Sequence, residues 1–223
     1  FKQKTAYEIM PSLVGSEMCI RDRYISRCIE LGKLAIGNSY PNPAVGCCIV
    51  YKDTIIGEGY TSSAGGNHAE INAIESVKDK SQLIESTLYV TLEPCCHWGK
   101  TPPCTDMIIQ SEINKIFVAI EDPNPIVAGK GIKQIRQAGI EVEVGLCHNE
   151  AYQLNEIFIK NMVMKQPFVI LKAATSLDGK IATVTGESKW ITSSAARQKG
   201  HQLRAQLMLY SLELAPYLKT THP

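Results

Sequence analysis

His68-Ala69-Glu70, Pro94-Cys95-Cys96 and Cys104 are the residues of this chain whose types and spacing could do chemistry. Zinc in catalytic sites takes three protein ligands and keeps a fourth position for water. One imidazole, His68, and two thiolates, Cys95 and Cys104, supply such a set and leave the dication formally neutral. The metal still lowers the pKa of water enough to make hydroxide available near pH 7. Glu70 stands two residues after His68. At a helix start that offset can direct a carboxylate toward the open position without making it a ligand. From there it can take a proton from water and deliver protons to a ring nitrogen and then to a departing amine. Cys96 competes for the ligand role, but adjacent residues usually point apart, so Cys95 and Cys96 are not expected on one metal. A structural zinc or chance clustering is the bland alternative. Cys28, Cys47, Cys48 and Cys147 read as small core residues.

The elements that must position these groups follow from the patterning. Apolar residues at Ile25, Cys28, Ile29, Leu31, Leu34 and Ile36 predict a helix over 24–36, stopped by the polar turn Gly37 to Pro43. Val45 to Tyr51 and Thr54 to Tyr60 flank Lys52-Asp53 as a hairpin. His68 to Val77 reads as a helix and Thr87 to Thr91 as a buried strand, followed by a loop rich in Pro, Cys and Gly. Pro103 to Ser111 reads as a helix, Lys115 to Ile120 as a strand, Ala128 to Ala138 as a helix closed by Gly139, and Ile140 to Val144 as a strand. The order α-β-β-α-β-α-β-α-β gives a mixed sheet covered by helices, an α/β sandwich. A helix over about 149–164 then leads to Pro167 and a predicted strand, Phe168 to Ala174, so a second domain is expected to begin around 150 to 167.

Composition bounds the partners. Lys plus Arg is 23 and Asp plus Glu is 22, so there is no basic footprint for nucleic acid. No run of about 18 apolar residues exists, so no transmembrane helix and no membrane partner are expected. Eight cysteines in 223 residues, three of them between 95 and 104, read as a metal site in a reducing cytoplasm rather than a disulfide framework. Residues 1–23 show no sustained period. The string FKQKTAYEIMPSLVGSEMCIRDR looks like a translated sequencing adapter and is expected to stand outside the fold.

An H-x-E motif with a later P-C is the pattern of zinc nucleobase deaminases, in which the Glu is not a ligand. Those enzymes carry a short C-x-x-C, whereas here Cys104 lies nine residues after Cys95. The stretch Thr91-Leu92-Glu93-Pro94-Cys95-Cys96-His97-Trp98-Gly99-Lys100-Thr101-Pro102-Pro103-Cys104 resembles the bifunctional riboflavin-biosynthesis deaminase/reductase family. So do His68-Ala69-Glu70, Pro41-Asn42-Pro43-Ala44-Val45-Gly46-Cys47 and Asp122 to Gly131. The likeness runs from about Tyr24 to Gln206. It implies a cytidine-deaminase-like three-layer α/β/α sandwich over 24–147. After it, over 148–206, would come a linker helix and the start of a dihydrofolate-reductase-like domain that uses NADPH.

The resemblance also implies a small-molecule substrate, 2,5-diamino-6-(5-phosphoribosylamino)pyrimidin-4(3H)-one, whose pyrimidine amine is replaced by water. Asn42 would hydrogen-bond the base, and His97, Lys100 and Thr101 would face the ribose phosphate. A cation beside backbone amides suits a phosphate. In the reductase start, Ala174 and Trp190 would touch the cofactor. Ser188 and Arg204 would touch the substrate, with Lys172 and Asp178 nearby. Leu207 to Pro223 is unlike the family. A single base lost in a serine codon after Gln206 allows the family's next segment, Ser-Asp-Ala-Ile-Leu-Val-Gly-Ile-Gly-Thr-Val-Leu, so a frameshifted tail and no NADPH step are expected. A homo-oligomer stays open. Two other readings also stay open: a deaminase of another base, and a zinc-stabilised module without catalysis.

Overall fold

Helix α1 spans Glu17–Ala35 in the computed structural model, which describes residues 17–205 and residue 207. The tail expected to be frameshifted and the first sixteen residues lie outside the described residues, apart from residue 207. Tyr24, Ile25, Cys28, Ile29 and Leu31 are buried, the spacing of one helical face. The patterning put the start of this helix at residue 24, and the structure corrects it to residue 17. Ile20 extends the same face by one turn and packs against the core. Arg21 pairs with Glu143 at 3.6 Å and stands 5.0 Å from the Phe117 ring centroid. The adapter-like string therefore contributes its last seven residues to the fold.

Strand β1 (Gly46–Tyr51) and strand β2 (Thr54–Tyr60) form the expected antiparallel hairpin. Its two turn residues, Lys52 and Asp53, both have positive φ, the backbone that matches the twist of a two-residue hairpin loop. Helix α2 (Ala69–Ser76), strand β3 (Thr87–Val90), helix α3 (Cys104–Gln110), strand β4 (Lys115–Val118), helix α4 (Lys130–Gln137) and strand β5 (Glu141–Val144) follow. The sheet order is β2-β1-β3-β4-β5. Its first three strands pair antiparallel and its last three parallel, the expected mixed sheet. Along β1, Cys48 lies near Cys28 of α1 whereas Cys47 lies near Glu70 of α2. Successive β1 residues thus face different layers, as strand alternation requires.

Two glycines of β2 let α2 sit close to the sheet. A Cβ on Gly59 would lie 2.3 Å from the Ala69 carbonyl oxygen, and one on Gly57 would lie 2.5 Å from the Ala73 carbonyl oxygen. The outer strand β5 reads Glu-Val-Glu-Val. Lys115 on β4 pairs with Glu141 at 2.7 Å and also with Glu143.

The expected linker helix is two helices, α5 (His148–Leu154) and α6 (Glu156–Met164), broken at Asn155. They belong to the first compact unit, which runs to Phe168 rather than ending near residue 147. Ala151 and Ile159 are buried. The second unit starts at Val169 and holds one helix, α7 (Ser194–Ala205), and no strand among the described residues. The strand expected over 168–174 is not formed. Val169 and Leu171 are exposed by 80% and 94%, with no neighbouring strand to pair with. Among the described residues no helix is long and apolar enough to cross a membrane.

Candidate metal centre and its cleft

His68 immediately precedes α2 in extended conformation, and Cys104 is the first residue of α3. Cys95 sits in the loop that leaves β3. The fold brings the three together. His68 Nδ1 lies 3.3 Å from Cys104 Sγ and 3.5 Å from Cys95 Sγ, and all three ligand atoms lie within 4.8 Å of one another. Donors bound about 2.0 to 2.3 Å from one ion fall in this range of mutual distance. No other such group of metal-ligating side chains occurs among the described residues. The backbone N–H of Cys104 donates to Cys95 Sγ at 3.3 Å, and the N–H of Thr105 donates to the Cys95 carbonyl at 3.2 Å. Two sulfurs and one imidazole nitrogen on rigid backbone fit a zinc ion. Cys96 is not among the converging groups, as expected.

The electrostatics suit the same assignment. A hydrogen bond from Cys104, and then the His68 imidazole, pull the Cys95 thiol down to about 4 against its burial. That same hydrogen bond and burial push Cys104 well above the ordinary thiol range. Without metal, the pair therefore holds one thiolate and one thiol. The bond to Cys95 raises His68. Glu70 is 3% exposed, and burial pushes its carboxyl up to about 7, with the His68 charge opposing. Such a group can both accept and give a proton near neutral pH. It reaches the centre because the first turn of α2 carries it beside Cys104.

Asn42, His97, Lys100 and Thr101 line one cleft of ≈ 160 Å³ with His68 and Cys95. Three segments build it, around residues 41–42, 64–66 and 95–101. His97 Nδ1 is buried and has no hydrogen-bond partner among the protein atoms. The residues expected to serve the reductase are not gathered in this way. Ser188 is exposed and Ala174 half-buried, while Trp190 lies 4.2 Å under the Arg197 guanidinium. Arg204 donates to His201 Nδ1 at 3.3 Å. No side-chain hydrogen bond or ring contact among the described residues joins these four.

Glu93 is a site-building residue that motif reading passed over. Its carboxylate is 4% exposed and accepts three backbone N–H groups, from Gly129 at 2.9 Å, Asp122 at 3.1 Å and Ile132 at 3.1 Å. It ties the Pro94-Cys95 segment to the loop before α4. Gly131 completes that seam, since a Cβ there would lie 2.1 Å from the Pro94 carbonyl oxygen. Asp122 is held beside it, with burial pushing its carboxyl up to about 6. The signal was available: a charge within the buried run Thr91-Leu92-Glu93-Pro94 must be hydrogen-bonded.

Comparison with known proteins agrees with the geometry. Residues 18–120 match the cytidine and deoxycytidylate deaminase zinc-binding region, and residues 167–211 match the RibD C-terminal domain. The riboflavin biosynthesis protein RibD of Aquifex aeolicus (strain VF5) is 48% identical over 187 residues, 84% of this chain and 52% of that protein. That of Synechocystis is 51% identical over 183 residues, 82% of this chain and 49% of that protein. The crystal structure of a diaminohydroxyphosphoribosylaminopyrimidine deaminase/5-amino-6-(5-phosphoribosylamino)uracil reductase from Thermotoga maritima superposes with a TM-score of 0.79 at 46% identity. It covers 84% of this chain and 53% of that one. The chain spans about half the length of the curated relatives it matches.

Proposed function

This chain belongs to the RibD family of riboflavin biosynthesis, and from that premise we propose that its first compact unit hydrolytically deaminates 2,5-diamino-6-(5-phosphoribosylamino)pyrimidin-4(3H)-one, giving 5-amino-6-(5-phosphoribosylamino)uracil and ammonia. The observation that carries the reading is the convergence of His68, Cys95 and Cys104 beside buried Glu70 at one wall of a cleft that also holds a lysine.

His68, Cys95 and Cys104 would hold the zinc, whose Lewis acidity when bound makes water a nucleophile near neutral pH. Glu70 manages the protons. Its carboxylate accepts one from the attacking water and returns it to the ring nitrogen beside the reacting carbon. The departing amine then leaves as ammonia with the second proton of that water. Asn42 hydrogen-bonds the base and fixes which ring carbon faces Glu70. Lys100, with Thr101 and His97, holds the phosphate end at the mouth of the cleft. His97 lines the same cleft as Lys100 and Thr101.

Glu70→Gln tests the proposal. The variant should bind one zinc per chain and lose roughly 10²- to 10⁴-fold in ammonia release, the usual worth of a positioned acid–base group. Unchanged turnover in that variant would return the site to a structural zinc. Activity on cytosine or guanine in place of the phosphoribosylaminopyrimidine would assign a different base.

A further inference from the structure

The loop that carries Asn42 enters β1 through Ala44, Val45 and Gly46, and three different buried side chains tie these successive backbone units. Val45 N–H donates to Thr61 Oγ1 at 3.1 Å, and Gly46 N–H donates to Thr91 Oγ1 at 3.2 Å. Thr61 and Thr91 stand just before the other two segments that reach the cleft, around residues 64–66 and 95–101. The third tie comes from elsewhere. Ala44 N–H donates to Asn155 Oδ1 at 2.9 Å, and Asn155 Nδ2 donates to the Ala44 carbonyl at 2.9 Å. Asn155 lies 111 residues along the chain, at the break between α5 and α6, and is 3% exposed.

One primary amide thus meets both backbone groups of a single residue, as a neighbouring strand would. Both groups are buried with it, so removing the amide orphans a donor and an acceptor in the interior. Among the described residues Ala44 makes no other hydrogen bond, and Asn42 is only two residues away, at the cleft wall.

We propose that Asn155 is a positioning residue for substrate binding: it clamps Ala44 and through it fixes Asn42 in the cleft. The inference rests on the reading above in which Asn42 contacts the base. The Pro94-Cys95 segment is braced instead by Glu93, and Glu70 is carried by the first turn of α2, so the clamp sets affinity rather than the chemical step.

The test uses the full chain, zinc-loaded, with ammonia release from the phosphoribosylaminopyrimidine as the readout. Asn155→Asp keeps the shape and the Oδ1 acceptor but turns a second acceptor toward the Ala44 carbonyl. It should raise KM roughly tenfold, the effect of one lost buried hydrogen bond. Its kcat should stay within about threefold, and its zinc content should not change. Asn155→Ser removes the amide without adding a charge and should show the same split. Added to Asn42→Ala, Asn155→Asp should raise KM by less than about twofold, because both act on one contact. Loss of zinc, a fall in kcat at constant KM, additive effects, or failure of both Asn155 variants to fold would overturn the proposal. If Asn42→Ala raises KM and the Asn155 variants do not, only the clamp fails. If Asn42→Ala leaves KM unchanged, the substrate role of Asn42 fails and takes this route with it.

Discussion

Replacing Gly59 with alanine should cost the protein its turnover before it costs the fold. Gly59 lies on β2 under the first turn of α2, where an added Cβ would stand 2.3 Å from the Ala69 carbonyl oxygen and 2.4 Å from the Ala73 nitrogen. Both neighbours are backbone, so no rotamer change relieves the overlap. Ordinary contact begins at 3.4 Å, so the helix start must move by about 1 Å, a displacement that typically costs on the order of 10²-fold in rate when it moves a reacting group. The turn that moves carries Glu70 and is preceded by His68. Overpacking of this kind costs about 1 to 3 kcal/mol of stability. For a chain of this size that lowers the melting temperature by roughly 2 to 12 °C. Gly57→Ala is the control, because its Cβ meets the Ala73 carbonyl oxygen and the Val77 side chain, further along the same helix. It should destabilise by a similar amount and reduce kcat by about tenfold or less. Thermal melts, zinc content and steady-state ammonia release on both variants decide the matter. Wild-type kcat in Gly59→Ala, or a larger loss in Gly57→Ala, would show that the seat of α2 on β2 does not set the site.

Two further outcomes follow from the electrostatics. In the metal-free protein Cys104 is held protonated and its neighbour Cys95 raises His68, so zinc must displace protons from both, and apparent zinc affinity should rise at least roughly tenfold per pH unit between pH 6 and 8, more steeply at the acid end. Competition titrations with a chelator at several pH values would measure this, and a flat profile would mean that the thiol is not displaced. Lys100→Ala should raise KM roughly 10- to 100-fold, the worth of a charge-assisted hydrogen bond, without loss of zinc. The same variant assayed on the dephosphorylated substrate should match the unmodified chain, and an equal loss on both substrates would remove the phosphate role.

Much of the α/β frame was legible because its signals are local. Buried β1, β3 and β4 appear as short apolar runs, and α2 and α4 carry helical spacing with polar stops on either side. The converging group His68, Cys95 and Cys104 was legible for another reason: zinc chemistry restricts the residue types that can serve it. What sequence spacing could not reveal are ties made across long separations. Glu93 reaches Ile132 across 39 positions and Asn155 reaches Ala44 across 111, and neither pairing leaves a periodic trace. The start of α1 was missed because residues 1–23 show no sustained period and resemble an adapter, so Ile20, which extends the helical face, carried no signal. The strand expected over residues 168–174 failed for the opposite reason. Alternating apolar residues predict a strand only where a partner strand is present to accept it.

Among the described residues, β5 is an outer margin of the sheet, and its two glutamates bracket Lys115 on one side while Arg21 reaches over from α1. A margin with free peptide groups is where separate molecules can stack through their sheets, and acidic side chains at that rim keep copies apart. Solubility at high concentration therefore depends on those two side chains. Replacing both glutamates with neutral residues would remove that guard and turn the rim adhesive.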